Sequence, residues 1–319
     1  MEFTVKYRDA SVCNCKLMLI YFVVLSHLIR PCIYGSEVAY GIYHFIFSFH
    51  MPAFAFLSGI YMKNAASCLK NAKTSIIRYL VAQIMFALIF RGDINLILPY
   101  WHLWYLLALS FWCLFGAGFN RLSRPYAVTV LIVSFVLGCT AGFVSGIDRN
   151  LSLSRVIVFL PYFLIGIMMP KNIKEHTRRK YGSVFLISGV VLYLIFKNKI
   201  PVFFMCQAEP FGKLGFNGVM LRLICYAIGI LITLGIYYIS PNKHLAISKI
   251  GTDTLMIYIL HGPIVEWIRG YSDNGLYIAL SFIISAIIIY LLHRIFAFSG
   301  NIYTIRERKG ERIRDGTVL

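Results

Sequence analysis

Four histidines, His27, His44, His50 and His261, lie inside long apolar stretches of this chain. An ionisable side chain among hydrocarbon is costly, so each is a candidate for function. Helical rise from the nearest flanking lysine gives their depth. His27 follows Lys16 by 11 residues, His50 precedes Lys63 by 13 and His261 follows Lys249 by 12, or ~16, ~20 and ~18 Å. Three histidines on three helices are therefore expected at one level near the bilayer midplane, with Glu266 one to two turns beyond His261. A neutral imidazole can take a proton from a hydroxyl, as acyl transfer to an alcohol requires, or hand one along, as proton-coupled transport requires. Each histidine also has a plain structural reading, as a core residue bonded to a neighbouring carbonyl. Equal depth leaves the lateral distances open.

Basic residues supply a second constellation. Arg8 and Lys16 stand at the start of the first apolar stretch, and Arg78 near the start of the third. Such bases anchor helix ends and snorkel to headgroups. Their functional reading is a cationic site for a phosphate-bearing donor, which arginine grips bidentately. Pro52, in FHMPAFAFLSG, interrupts the backbone hydrogen-bond ladder in mid-membrane, which is tolerated where a helix borders protein or a cavity; His50 is expected to face one. Trp104 and Tyr105, in HLWYLLAL, either belong to an interfacial aromatic belt or support the site.

The elements that must position these residues follow from composition. Of 319 residues 59% are hydrophobic and 14% charged, with a mean hydropathy of +0.73, which no soluble fold of this size can hide in one core. The solvent is expected to be a bilayer. Ten apolar stretches long enough to cross it run at 17–34, 40–62, 75–91, 102–119, 126–146, 155–170, 183–200, 217–240, 252–269 and 275–298. An all-α integral membrane protein of about ten transmembrane helices is predicted, a single membrane domain over 1–319 with a basic tail at 299–319. Sorting its 31 Lys and Arg by loop places 22 on one face and 9 on the other, so the positive-inside rule predicts both termini cytoplasmic. The formal charge of +18 then reports topology, and nucleic acid is not expected as a partner. Eight scattered cysteines indicate neither a metal site nor a disulfide framework. The first stretch carries a His and no small-residue cleavage site, so it is expected to be a retained helix.

Five segments, in order, resemble the membrane acyltransferase 3 family: RDASVCNCKLMLIYFVVLSH at 8–27, FHMPAFAFLSG at 49–59, HLWYLLAL at 102–109, LPYFLIG at 160–166 and IGTDTLMIYILH at 250–261. The FHMP and LWYL forms are most similar to the fucose 4-O-acetylase-like branch, whose members O-acetylate sugars of envelope polysaccharides. The resemblance implies transfer of an acetyl group from cytoplasmic acetyl-CoA, without a metal, to a hydroxyl of a cell-surface polysaccharide or its lipid-linked precursor. It gives His27 the essential catalytic position, Lys16 its basic partner position and Arg78 the basic position opening helix 3. Three departures stand out. Cys13 replaces an acid, for which Asp9 is the nearest substitute; Leu17 replaces a glycine; and the proline that commonly follows the helix-3 arginine is absent. The chain is expected to be the stand-alone form, embedded in the cell membrane.

The mechanism expected from this places CoA at the cytoplasmic face among Arg8, Lys16 and Arg78, its thioester reaching toward His27. His27 is either general base for the sugar hydroxyl or transient acyl carrier. Tyr258, His261 and His50 are candidates to orient His27 or stabilise the oxyanion, and Trp104 is a further supporting residue. A proton-coupled transporter or flippase for a lipid-linked sugar is the alternative that the histidines leave open.

Overall fold

A computed structural model describes residues 10–170, 175–206, 210–268 and 275–314. No strand occurs among them. Consecutive long helices are joined by short links, beginning with α1 (Ala10–Ile29), a 3-10 turn (Arg30–Tyr34), α2 (Glu37–Tyr61) and α3 (Ala65–Phe90). A loop and a second 3-10 turn (Trp101–Leu103) lead into α4 (Trp104–Phe119), followed by α5 (Arg124–Thr140), α6 (Leu153–Met168) and α7 (Glu175–Phe196). The five-residue α8 (Val202–Cys206) precedes α9 (Phe216–Ile239), a further 3-10 turn (Ala246–Thr252), α10 (Thr254–Ile268) and α11 (Gly275–Arg314).

Each expected apolar stretch overlaps one long helix, and eight of these helices are long and apolar enough to cross a membrane. α2 is not among the eight: its 25 residues suffice in length, but His44, Ser48, His50 and Ser58 dilute its apolar content. α10 spans 15 residues among those described. Boundaries differ where polar residues begin or end a helix. α3 starts ten residues before the expected 75, because Asn64 caps it by accepting from Ser67 N at 2.8 Å and the polar Lys70, Asn71 and Lys73 ride its first turns. α11 runs on through Arg314, so helix occupies most of the segment expected as a tail.

Burial is arranged inside out. The apolar windows of α1 and α4 are 67% and 78% buried, against 17% for α7 and 33% for α3 and α5, so α1 and α4 lie inside while α3, α5 and α7 present leucines and isoleucines outward. Polar side chains collect inside, among them His27, His50, Gln83, His102, Arg222 and His261. Small residues allow close approach: a Cβ at Gly59 of α2 would strike the Phe163 carbonyl of α6, and one at Gly166 would strike the Phe56 carbonyl. Lys63, two residues past α2, closes the C-terminus of α6 by donating to the carbonyls of Gly166 (3.0 Å), Ile167 (2.6 Å) and Met169 (2.7 Å).

Candidate active site

Three imidazoles meet where α1, α10 and the Trp101–Leu103 turn converge. The His27 ring lies 5.4 Å from that of His261, stacked at 23°, and His102 lies 4.7 Å from His261 and 6.2 Å from His27. All three are buried, at 7%, 0% and 2% exposure. A carbonyl can only accept, so His102 Nε2, 3.3 Å from Ile259 O, and His261 Nδ1, 3.2 Å from Ile257 O, carry their protons. That leaves His102 Nδ1 and His261 Nε2 as acceptors with no partner, and His27 Nδ1 has none either. Buried polar atoms in that condition are uncommon and call for an explanation.

The lateral question left by depth is thus answered for His27 and His261. His50 joins through Phe47, whose ring is 4.7 Å from His50 and 6.5 Å from His27; its Nδ1 donates to Ile46 O at 2.7 Å. α2 remains helical through Pro52, and His50 and Met51 beside it line cavities, as a proline at that depth predicts. His44 is structural, bonded to Tyr193 Oη (3.0 Å) and Ile200 O (2.7 Å).

Two cavities flank the cluster. The near one, about 410 Å³, opens toward the end of the bundle where α1 begins; Lys16, Arg78, Ser58, Tyr61 and Tyr105 line it. The far one, about 830 Å³, is lined by His27, His50, His102, Trp101 and Trp104. Met51 and Tyr258 belong to both walls. The two bases expected at a donor site sit further along their helices than expected. Lys16 is six residues into α1, ~9 Å along it, its Nζ 4.5 Å over the Tyr61 ring. Arg78 is thirteen residues into α3, ~20 Å along, because the helix starts earlier than its hydropathy indicates. Asp253, in the same wall, is paired with His293 at 2.6 Å. Arg8 and Asp9 lie outside the described residues.

Tyr258 donates its hydroxyl proton to the His102 carbonyl and so ties α10 to the turn. Trp104 is buried, stacked on Phe159 at 5.5 Å, with the Arg155 guanidinium 4.7 Å above it. It is a cavity wall and not part of a lipid-facing belt. Sequence reasoning passed over three residues. His102 opens HLWYLLAL, but no lysine flanks it from which to count depth. Trp101 packs 4.5 Å from His27 with φ at 26°, a conformation few non-glycine residues adopt. Gln83, fully buried on α3, holds the loop before that turn: Nε2 donates to Asn95 O (2.5 Å) and Leu98 O (3.0 Å), and Oε1 accepts from Tyr100 N (2.9 Å). Among the described residues, no group of three or more His, Cys, Asp or Glu is arranged to hold a metal ion.

A buried cluster of imidazoles with unpaired nitrogens, inside a bundle of apolar helices, can take up and return a proton. A family model described as an acyltransferase domain matches residues 10–294, and the chain belongs to that family, acyltransferase 3. The protein is accordingly a multi-pass membrane acyltransferase. No curated protein and no solved structure matches it.

Proposed function

We propose that this acyltransferase carries a short acyl group, acetyl by family resemblance, from cytoplasmic acyl-CoA in the near cavity to a sugar hydroxyl in the far one. The acceptor is a cell-envelope polysaccharide or its lipid-linked precursor. One observation supports this best: His27, with Nδ1 unpaired, lines the far cavity, whose wall shares Met51 and Tyr258 with the near one.

Lys16 and Arg78, lining the near cavity, hold the phosphates of the donor by charge-assisted hydrogen bonds. Lys16 and His27 are 11 residues apart on one helix, ~16 Å, a span that an extended pantetheine arm bridges along the helix. The thioester then lies at the Met51–Tyr258 partition. His27 accepts the proton of the sugar hydroxyl as its oxygen attacks the thioester carbonyl; the new C–O bond forms, the C–S bond breaks, and the thiolate leaves with a proton returned by the imidazolium. His261 and His102 position His27 and the hydroxyl.

His27→Ala, with membrane abundance checked, is expected to lower acyl transfer to the envelope glycan by about 10²–10⁴-fold. Transfer that persists at the wild-type rate overturns the proposal. Arg78→Ala is expected to raise the KM for acyl-CoA about tenfold with kcat little changed. An unchanged KM removes Arg78 from the donor site.

A further inference from the structure

Three residues of the far cavity's wall, Ile33, Tyr34 and Tyr40, also line a neighbouring cleft of about 550 Å³. That cleft lies between the first turns of α2 and the end of α7, on the face that the loop assignment sets opposite Lys16. His44 fastens its two sides. Its Nε2 donates to Ile200 O (2.7 Å), so its Nδ1 accepts from the Tyr193 hydroxyl (3.0 Å). The Tyr40 ring lies 5.6 Å from the His44 ring and is 43% exposed, while Tyr34, which ends the 3-10 turn containing Pro31, is 95% exposed. A tyrosine face carries the negative part of the ring quadrupole and so takes the polarised C–H groups of a pyranose. Among the described residues one acid, Glu37, and one base, Lys197, line the cleft, with the Asn198 amide beside them. Donors and acceptors without a net formal charge suit a chain rich in hydroxyls. The far cavity, at about 830 Å³, and this cleft together exceed the ~1,000 Å³ at the top of the range for single small ligands.

We propose that this outer cleft binds the sugars next to the one being acylated, so that the acceptor is a saccharide chain running from His27 past Tyr34 and Tyr40. The placement of the acylated sugar rests on the acyl-transfer reading. The grip on its neighbours is a matter of stacking and hydroxyl bonding alone. Gly41 offers a way to block the cleft: it lines the cleft but not the far cavity, and a Cβ there would meet no atom within 4 Å. Leucine at that position grows into the cleft and is a better helix former than glycine.

The test is binding to the full chain in nanodiscs of zwitterionic lipid, without acyl donor. The probes are fragments of the producing cell's own envelope polysaccharide, deacylated with base, partly hydrolysed and sorted by length. Fragments of three or four sugars are expected to bind about tenfold tighter than single sugars. Tyr34→Ala/Tyr40→Ala is expected to weaken the longer fragments about tenfold, and Tyr34→Phe/Tyr40→Phe to keep most of their affinity, because the ring faces remain. Should the paired alanines fail to reach the membrane, Gly41→Leu carries the comparison and is expected to reduce the length preference below twofold. Equal affinity at every length, as a cleft filled by a bilayer acyl chain would give, overturns the proposal. So does a length preference that survives both the paired alanines and Gly41→Leu. Transfer from labelled acyl-CoA to the same fragments is measured separately. Fragments that bind by length but accept no acyl group would leave the cleft standing and overturn the acyl-transfer reading, so the two can fail independently.

Discussion

The His27 ring is held by packing: it stacks on His261 and meets the edge of Trp101, and its Nδ1 has no hydrogen-bond partner. Its alignment therefore depends on neighbours that do no proton transfer. Trp101→Ala is expected to lower kcat about 10- to 100-fold, more than it raises the KM for either substrate, because a displaced base loses its attack geometry. Gly262 is a second lever, since a Cβ there would strike the His102 ring. Gly262→Ala is expected to lower activity without loss of membrane abundance; wild-type turnover would show that His102 tolerates displacement. The sequence made His27, His50 and His261 legible because flanking lysines mark depth on a regular helix. It could not offer His102 the same way, because that residue sits in a 3-10 turn reached by a loop. Gln83 gave no signal at all, since its importance is a set of backbone contacts that only the fold creates.

At the scale of elements, the α2–α6 crossing carries the Pro52 region and with it His50. Backbones approach so closely at Gly59 and Gly166 that no side chain fits between them. Gly166→Ala is expected to cost about 1–3 kcal/mol through overpacking, read as an earlier loss of tryptophan fluorescence on heating in detergent. Lys63 fastens the same pair at one end, and Lys63→Met is expected to cost a similar ~1–3 kcal/mol by leaving three carbonyls with a lost donor. The number and order of long helices could be read from hydropathy. Their starts could not, because a capped polar turn such as Asn64–Lys73 is helical without being apolar. Which helices pair was equally hidden: FLSG and LIG display small residues, but nothing in either segment names the other as its partner.

At the scale of the whole molecule, the distribution of bases predicts an orientation that the site depends on. With a single cysteine introduced at Gly146 or at Arg121, impermeant thiol reagent is expected to label the first in intact cells and the second only after permeabilisation. The seven native cysteines with described side chains are buried and give little background. The reverse pattern would place Lys16 and Arg78 on the side without acyl-CoA. One further consequence lies in Met51 and Tyr258, which border both cavities. On the proposed reading, in which the two cavities open on opposite faces of the membrane, these two side chains are also part of the cell's insulation. Met51→Gly/Tyr258→Gly should admit protons and small cations, seen as faster dissipation of a pH gradient in proteoliposomes. The bulk of these two residues would then be maintained by the need to keep the membrane sealed while an acyl group passes.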